Sequence, residues 1–175
     1  MKKLVVLALV LAATPAFADE AIVASAPPAK TLGVDAIAVV PVGNYGNVAT
    51  LGIGATARLE VPAGSGFVTG RLGAIFHAMN NTQATSLTLI PAYVGYRQPV
   101  GPGGGYIAGE IGITYAYATM DTSLGRISGS DSELGLALMA GLRRGTLDLR
   151  AGLFAPDVNN ALGLIASAGY DFAAF

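Results

Sequence analysis

The stretch Thr50–Pro62 (TLGIGATARLEVP) limits what this chain can fold into more than any other. Leu51, Ile53, Ala55, Ala57, Leu59 and Val61 are apolar, and the residues between them are small, polar or charged. A period of two describes a strand with two unlike faces. Wound into a helix, the same apolar residues would scatter around the cylinder and form no stripe. The stretch also exceeds the ~5–6 residues usual for a soluble strand and matches the ~9–11 that cross a bilayer at a tilt.

The pattern recurs until a sheet can close on itself. Alternation predicts strands over 32–42, 50–62, 67–79, 87–97, 106–119, 133–143, 146–154 and 162–172. Turn formers predict tight turns at 62–66 (PAGSG), 98–105 (QPVGPGGG) and Arg144-Gly145. Loops are predicted at 43–49, 80–86, 120–132 and 155–161, with Met120–Ser132 (MDTSLGRISGSDS) the longest and most polar. The fold class this predicts is all-β: an eight-stranded antiparallel up-and-down transmembrane β-barrel.

Composition enters here as a constraint on the solvent. Hydrophobic residues make up 53% of the 175 and charged residues 12%, with 24 glycines. Ordinary globular domains carry about 25% charged residues. After the N-terminus no apolar run reaches the ~18 residues of a spanning helix, so strands must do the crossing. The net charge of −1 gives no reason to expect a nucleic-acid partner. The absence of cysteine excludes disulfides and thiolate metal sites.

Residues 1–18 read as a secretory signal peptide. Lys2 and Lys3 form the positive region, Leu4–Ala13 the apolar core, and Ala16-Phe17-Ala18 the small-residue site, which places the cut after Ala18. Residues 19–31 read as a periplasmic N-terminal lead-in, since Asp19–Lys30 (DEAIVASAPPAK) has no periodicity. The barrel is expected over 32–175. With the N-terminus in the periplasm, the three turns lie inside and the four loops outside. Tyr96, Phe67, Tyr170 and Phe172 then fall near the periplasmic ends, and Tyr45, Phe76, Tyr115 and Tyr117 near the outer ends, as two aromatic girdles.

Energetics chooses which face meets lipid. An arginine on the lipid face near the midplane costs ~2–4 kcal/mol. Arg58, Arg71, Arg97, Arg143 and Arg150 all share the face of the glycines and threonines, so the Leu/Ile/Val face is predicted outside. A soluble barrel would invert this and expose a surface rich in glycine and poor in charge.

With its leader, strands such as Tyr106–Tyr117 (YIAGEIGITYAY) and the ending Gly169-Tyr170-Asp171-Phe172, the sequence resembles the small eight-stranded outer-membrane β-barrel proteins of Gram-negative bacteria. The resemblance covers nearly all of 32–175 and implies location in the cell outer membrane. It also implies contact with outer-membrane lipids and lipopolysaccharide, and recognition by the barrel-assembly machinery through a terminal aromatic. Here Ala173-Ala174-Phe175 follows, with Phe175 out of phase with Tyr170 and Phe172, so either the strand bulges or the signal is read with three residues trailing. A monomer is expected.

Gly52–Ala57 (GIGATA) matches a dinucleotide-binding pattern, but no helix follows it, and Gly101–Gly105 has no Lys-Ser/Thr behind it. His77 is the only histidine; small barrels that remodel lipid A use one, but no serine or orienting acid is evident near it. A metal site is not expected from one histidine and no cysteine, and no cofactor is expected. The inward charges Asp35, Arg58, Glu60, Arg71, Arg97, Glu110, Arg143, Asp148, Arg150 and Asp171 balance, which predicts a structural salt-bridge network in the periplasmic half of the lumen. Glycine and alanine above it predict unfilled volume, a shallow outer pocket at His77 and Glu133. The functional expectation is a non-enzymatic outer-membrane protein with a closed, salt-bridged lumen and a structural or surface-interaction role. The alternative is a porin-like conduit for small solutes or hydrophobic compounds.

Overall fold

A computed structural model describes residues 29–80, 84–122 and 125–175. The predicted leader and most of the lead-in lie outside them. Eight strands are found among the described residues: β1 (Thr31–Val42), β2 (Ala49–Ala63), β3 (Gly66–Met79), β4 (Ala84–Pro99), β5 (Gly105–Thr122), β6 (Gly125–Arg144), β7 (Leu147–Asp157) and β8 (Ala161–Ala174). Each pairs antiparallel with its sequence neighbours, and β1 closes on β8, so no edge is left around the barrel wall.

The side-chain alternation read from the sequence is the alternation of the wall. In β2, Leu51, Ile53 and Leu59 are exposed outward, while Thr56, Arg58 and Glu60 are buried inward. Leu134, Leu138, Leu147, Leu149 and Leu153 continue the exposed apolar surface around β6 and β7. Closure explains why two faces of one strand can differ so sharply: one faces a narrow interior that must be polar-paired or packed, the other an unbounded apolar surround.

Several connections, and the facing of two aromatic residues, differ from expectation. Residues 43–48, expected as loop, form a six-residue helix, α1 (Gly43–Val48). The expected loop 120–132 is largely strand: β5 and β6 continue as a ribbon in which Tyr117 pairs with Ser130 and Met120 with Ile127. Ser, Gly and Asp weaken the strand signal there, but a hairpin already held in register extends at little entropic cost. The Arg144-Gly145 turn moves by one residue, because Arg144 pairs with Leu147 and Gly145 takes φ 57°. Tyr45 and Phe67, expected in the aromatic girdles, turn inward instead: Tyr45 is buried and the Phe67 ring lies under the Arg97 guanidinium.

The phase of the C-terminus is settled by a bulge. Gly33 pairs with Asp171 but Leu32 pairs with Ala173, so Phe172 is the extra residue. Past it, Lys30 and Phe175 exchange two backbone hydrogen bonds of 3.0 Å. The shift of one residue puts Phe175 in the outward phase with Tyr170 and Phe172, and all three rings are exposed.

Candidate functional site

The ten predicted lumen charges are gathered at one end of the barrel, where β1 begins and β8 ends. Arg58, on β2, has the most partners: Nε lies 3.1 Å from Asp35 Oδ1, Nη1 3.0 Å from Glu60 Oε1, and Nη2 2.9 Å from Asp171 Oδ1 and 3.5 Å from Asp148 Oδ2. Glu60 in turn accepts from Arg97 Nη2 at 3.0 Å and Arg143 Nη1 at 2.7 Å. Arg143 also reaches Asp171. Arg150 Nη2 lies 2.7 Å from Asp148 Oδ2, and Tyr106 donates its hydroxyl to the other oxygen of that carboxylate. Arg71 Nη1 pairs with Glu110 Oε2 at 3.0 Å.

Arginine suits this layer because its planar fork serves several carboxylates at fixed angles. It also stacks on rings: the Arg97 guanidinium carbon sits 4.1 Å from the Phe67 centroid and 5.0 Å from that of Tyr106. Arg58, Asp35, Glu60 and Asp148 are withdrawn from solvent entirely, and the layer opens only toward Arg143 at the rim, whose side chain is 15% exposed.

Above the charges lies an apolar layer. Ile37, Val39, Ile75, Met139, Phe154 and Ile165 are buried together. Tyr93 crosses between the layers, its ring 6.1 Å from that of Phe154 and its hydroxyl 2.7 Å from Thr114 Oγ1. The cavity left between the layers is about 10 Å³, room for about one water. The volume expected above the charges is filled, because inward glycines admit side chains of neighbouring strands. Tyr93 lies over Gly135, Tyr106 over Gly141 and His77 over Gly52, each occupying the space a Cβ would need.

The expected outer pocket at His77 and Glu133 is not formed. His77 is 2% exposed, capped by Tyr45 of α1. Its Nδ1 is 2.9 Å from the Thr50 carbonyl oxygen, which can only accept, so Nδ1 carries the proton. Nε2 therefore accepts from the Tyr45 hydroxyl at 2.7 Å. Asn80 holds the rest of α1, donating Nδ2 to the Gly46 carbonyl at 2.9 Å and its backbone N–H to that of Val48 at 2.9 Å. A single helical turn has no stability of its own; these contacts and the buried Tyr45 ring supply it. Glu133 sits apart, near the acids Asp157 and Asp131.

Both ring nitrogens of His77 are thus committed to structural bonds. Tyr45 is the member of this site that sequence reasoning missed as an inward residue. Its period-two signal was lost in a Gly-Asn segment, and only the lid position of α1 directs it inward. Among the described residues no group of three or more acidic, His or Cys side chains is arranged to hold a metal ion.

No protein-family model matches the chain, and no curated protein does. Solved structures do. Ail, the attachment invasion locus protein of Yersinia pestis, matches with a TM-score of 0.58 and 11% identity over 82% of this chain and 95% of that one. The N-terminal β-barrel domain of Pseudomonas aeruginosa OprF matches with a TM-score of 0.59 and 8% identity over 83% of this chain and 98% of that one. At such identities the likeness is one of fold. The closed wall, its strand count and these matches together give the chain the fold of the small eight-stranded outer-membrane β-barrels.

Proposed function

We propose that this chain is an integral protein of the cell outer membrane, non-enzymatic, with a lumen closed to solutes and a surface-interaction role carried by its outer ribbon. The observation that carries the reading is the division of the wall, with Arg58, Arg71, Arg97, Arg143 and Arg150 turned into the lumen and an exposed outward face that carries large apolar residues such as Leu51, Ile53, Leu72, Ile111, Leu138 and Leu149. Only an apolar solvent favours that division. A closed lumen is supported by the two filled layers, which leave a cavity of about 10 Å³ between them. Planar-bilayer recording of the folded protein tests this: a silent membrane is expected, and reproducible single-channel steps would install the conduit reading in its place.

The surface-interaction role rests on the β5–β6 ribbon. β6 pairs with β7 only from Leu136 onward, so among the described residues Gly125–Glu133 has strand pairing on the β5 side alone. An unpaired strand edge is a template for an extended segment of another protein. Ail has been crystallised in complex with the heparin analogue sucrose octasulfate. Here Asp131, Glu133 and Asp157 lie at the base of the ribbon, and acids repel such a polyanion. A neutral or basic polypeptide is the partner we assign to it. Replacing residues 118–129 by a two-residue turn should abolish binding of whole cells to such a partner while leaving the barrel folded.

A further inference from the structure

One concavity lies outside the barrel, on its wall. A groove of about 440 Å³ crosses β1 to β4 on the outward face, lined by Leu32, Ala57, Leu59, Gly70, Leu72 and Val94, and also by Arg58, Arg71 and Tyr93, which are themselves buried. Gly70 forms its floor, between Leu59 of β2 and Val94 of β4. Most inward glycines of the barrel have a neighbour that forbids a Cβ; at Gly70 a Cβ would meet nothing within 4 Å. Nothing inside the protein requires glycine there, so the space it leaves belongs to something outside.

The groove has a polar end. Lys30 precedes Leu32 by two residues and shares its outward phase, and its backbone is fixed at the periplasmic rim by the two hydrogen bonds to Phe175. Lys30 is exposed, and among the described residues no carboxylate pairs with it. The next outward row toward the rim ends at Tyr96, whose hydroxyl donates to the Ala63 carbonyl at 2.9 Å. An apolar groove whose Leu32 end lies two residues from an exposed lysine complements a molecule with a hydrocarbon tail and an anionic head.

We infer that this groove binds one acyl chain of an anionic phospholipid of the periplasm-facing leaflet, with the lipid phosphate at Lys30. The inference rests on the membrane reading proposed above. A second copy of the chain fits less well, because a two-fold contact centred here would set groove against groove and leave both unfilled. In a bilayer the unfilled groove would forfeit the dispersion contacts of its lining, whereas a flexible chain recovers them.

Native mass spectrometry of the full-length protein, refolded in bicelles containing dipalmitoyl phosphatidylglycerol and dipalmitoyl phosphatidylethanolamine, tests the inference. The wild type should keep one phosphatidylglycerol at energies that strip the remaining lipid. Gly70→Leu, which fills the floor without an internal clash, should reduce that occupancy at least tenfold. Gly109→Leu, an outward glycine beyond the groove, should keep it. Lys30→Gln should bind the two lipids equally. Equal retention by wild type and Gly70→Leu would overturn the site, and an undiminished preference in Lys30→Gln would overturn the phosphate contact. A dimer lost in Gly70→Leu would give the groove to a second copy. Failure of the wild type to give a heat-modifiable folded band in lipid would instead overturn the membrane reading itself.

Discussion

Arg58 shows how much one side chain can decide. It touches four carboxylates with no access to water, so its removal takes one partner from each of them and leaves the buried Asp35 with Arg71 at 3.6 Å as its remaining arginine. Breaking a buried pair in this way costs ~3–5 kcal/mol. Arg58→Ala should therefore lower the urea midpoint of the folded, heat-modifiable band more than Arg143→Ala, whose charge is at the rim and partly solvated. Arg71→Ala should also be costly, since Glu110 would keep Arg150 at 3.8 Å as its charged partner and the Thr69 hydroxyl at 3.4 Å. An unchanged midpoint in Arg58→Ala would show that water fills the layer. At the other end of the lumen, Tyr45→Phe removes the only donor to His77 Nε2 among the described residues. An orphaned buried acceptor costs about 1–3 kcal/mol, and amide exchange in α1 should rise accordingly, with the barrel wall unaffected.

At the scale of a strand, β6 plays two roles along its length. From Leu134 to Leu142 its outward residues Leu134, Leu138 and Leu142 are exposed to the surround, and its inward Ala137 and Met139 are buried. Leu138, paired with Gly109 and Leu153, lies in the middle of this stretch. Leu138→Arg should destabilise the barrel in lipid by ~2–4 kcal/mol, measured by urea titration in vesicles; folding as efficient as wild type would mean that the outward face is misassigned. Ala137→Arg should fail for a different reason, lack of room, because Ala137 is 1% exposed against Tyr93 and Phe154. From Gly125 to Ser132 the same strand is exposed on every residue and carries serine, glycine and aspartate. Deleting that part should leave the urea midpoint within experimental error.

For the whole molecule, the lumen is divided by height into a charged layer and an apolar layer, and the division has a mechanical meaning. The ion pairs are directional and tie together all eight strands, β3 through Arg71 and β4 through Arg97; the apolar layer fills whatever shape they leave. A single substitution should therefore not open a path. Gly52→Ala would displace His77 and loosen α1, yet the charged layer beneath should remain sealed, and bilayer conductance should stay at baseline. Steps appearing in Gly52→Ala would place the seal at the lid.

The strand pattern, the facing of each strand and the identity of the lumen charges were legible in the sequence, because period-two alternation and the cost of exposing arginine to hydrocarbon are local facts. Arg58 and Glu60 point inward whatever their partners. What the tertiary structure decided is where several strands meet. Whether Gly52, Gly135 and Gly141 leave voids depends on His77, Tyr93 and Tyr106 of other strands, which fill them. The position of Tyr45 depends on a histidine 32 residues away, and the phase of Phe175 on a bulge that exists only because β8 must match β1. The ribbon beyond Tyr117 extends because β5 is already in register with β6. A strand's faces follow from its own residues, but filling a barrel needs the circumference, and that is set only when β1 meets β8.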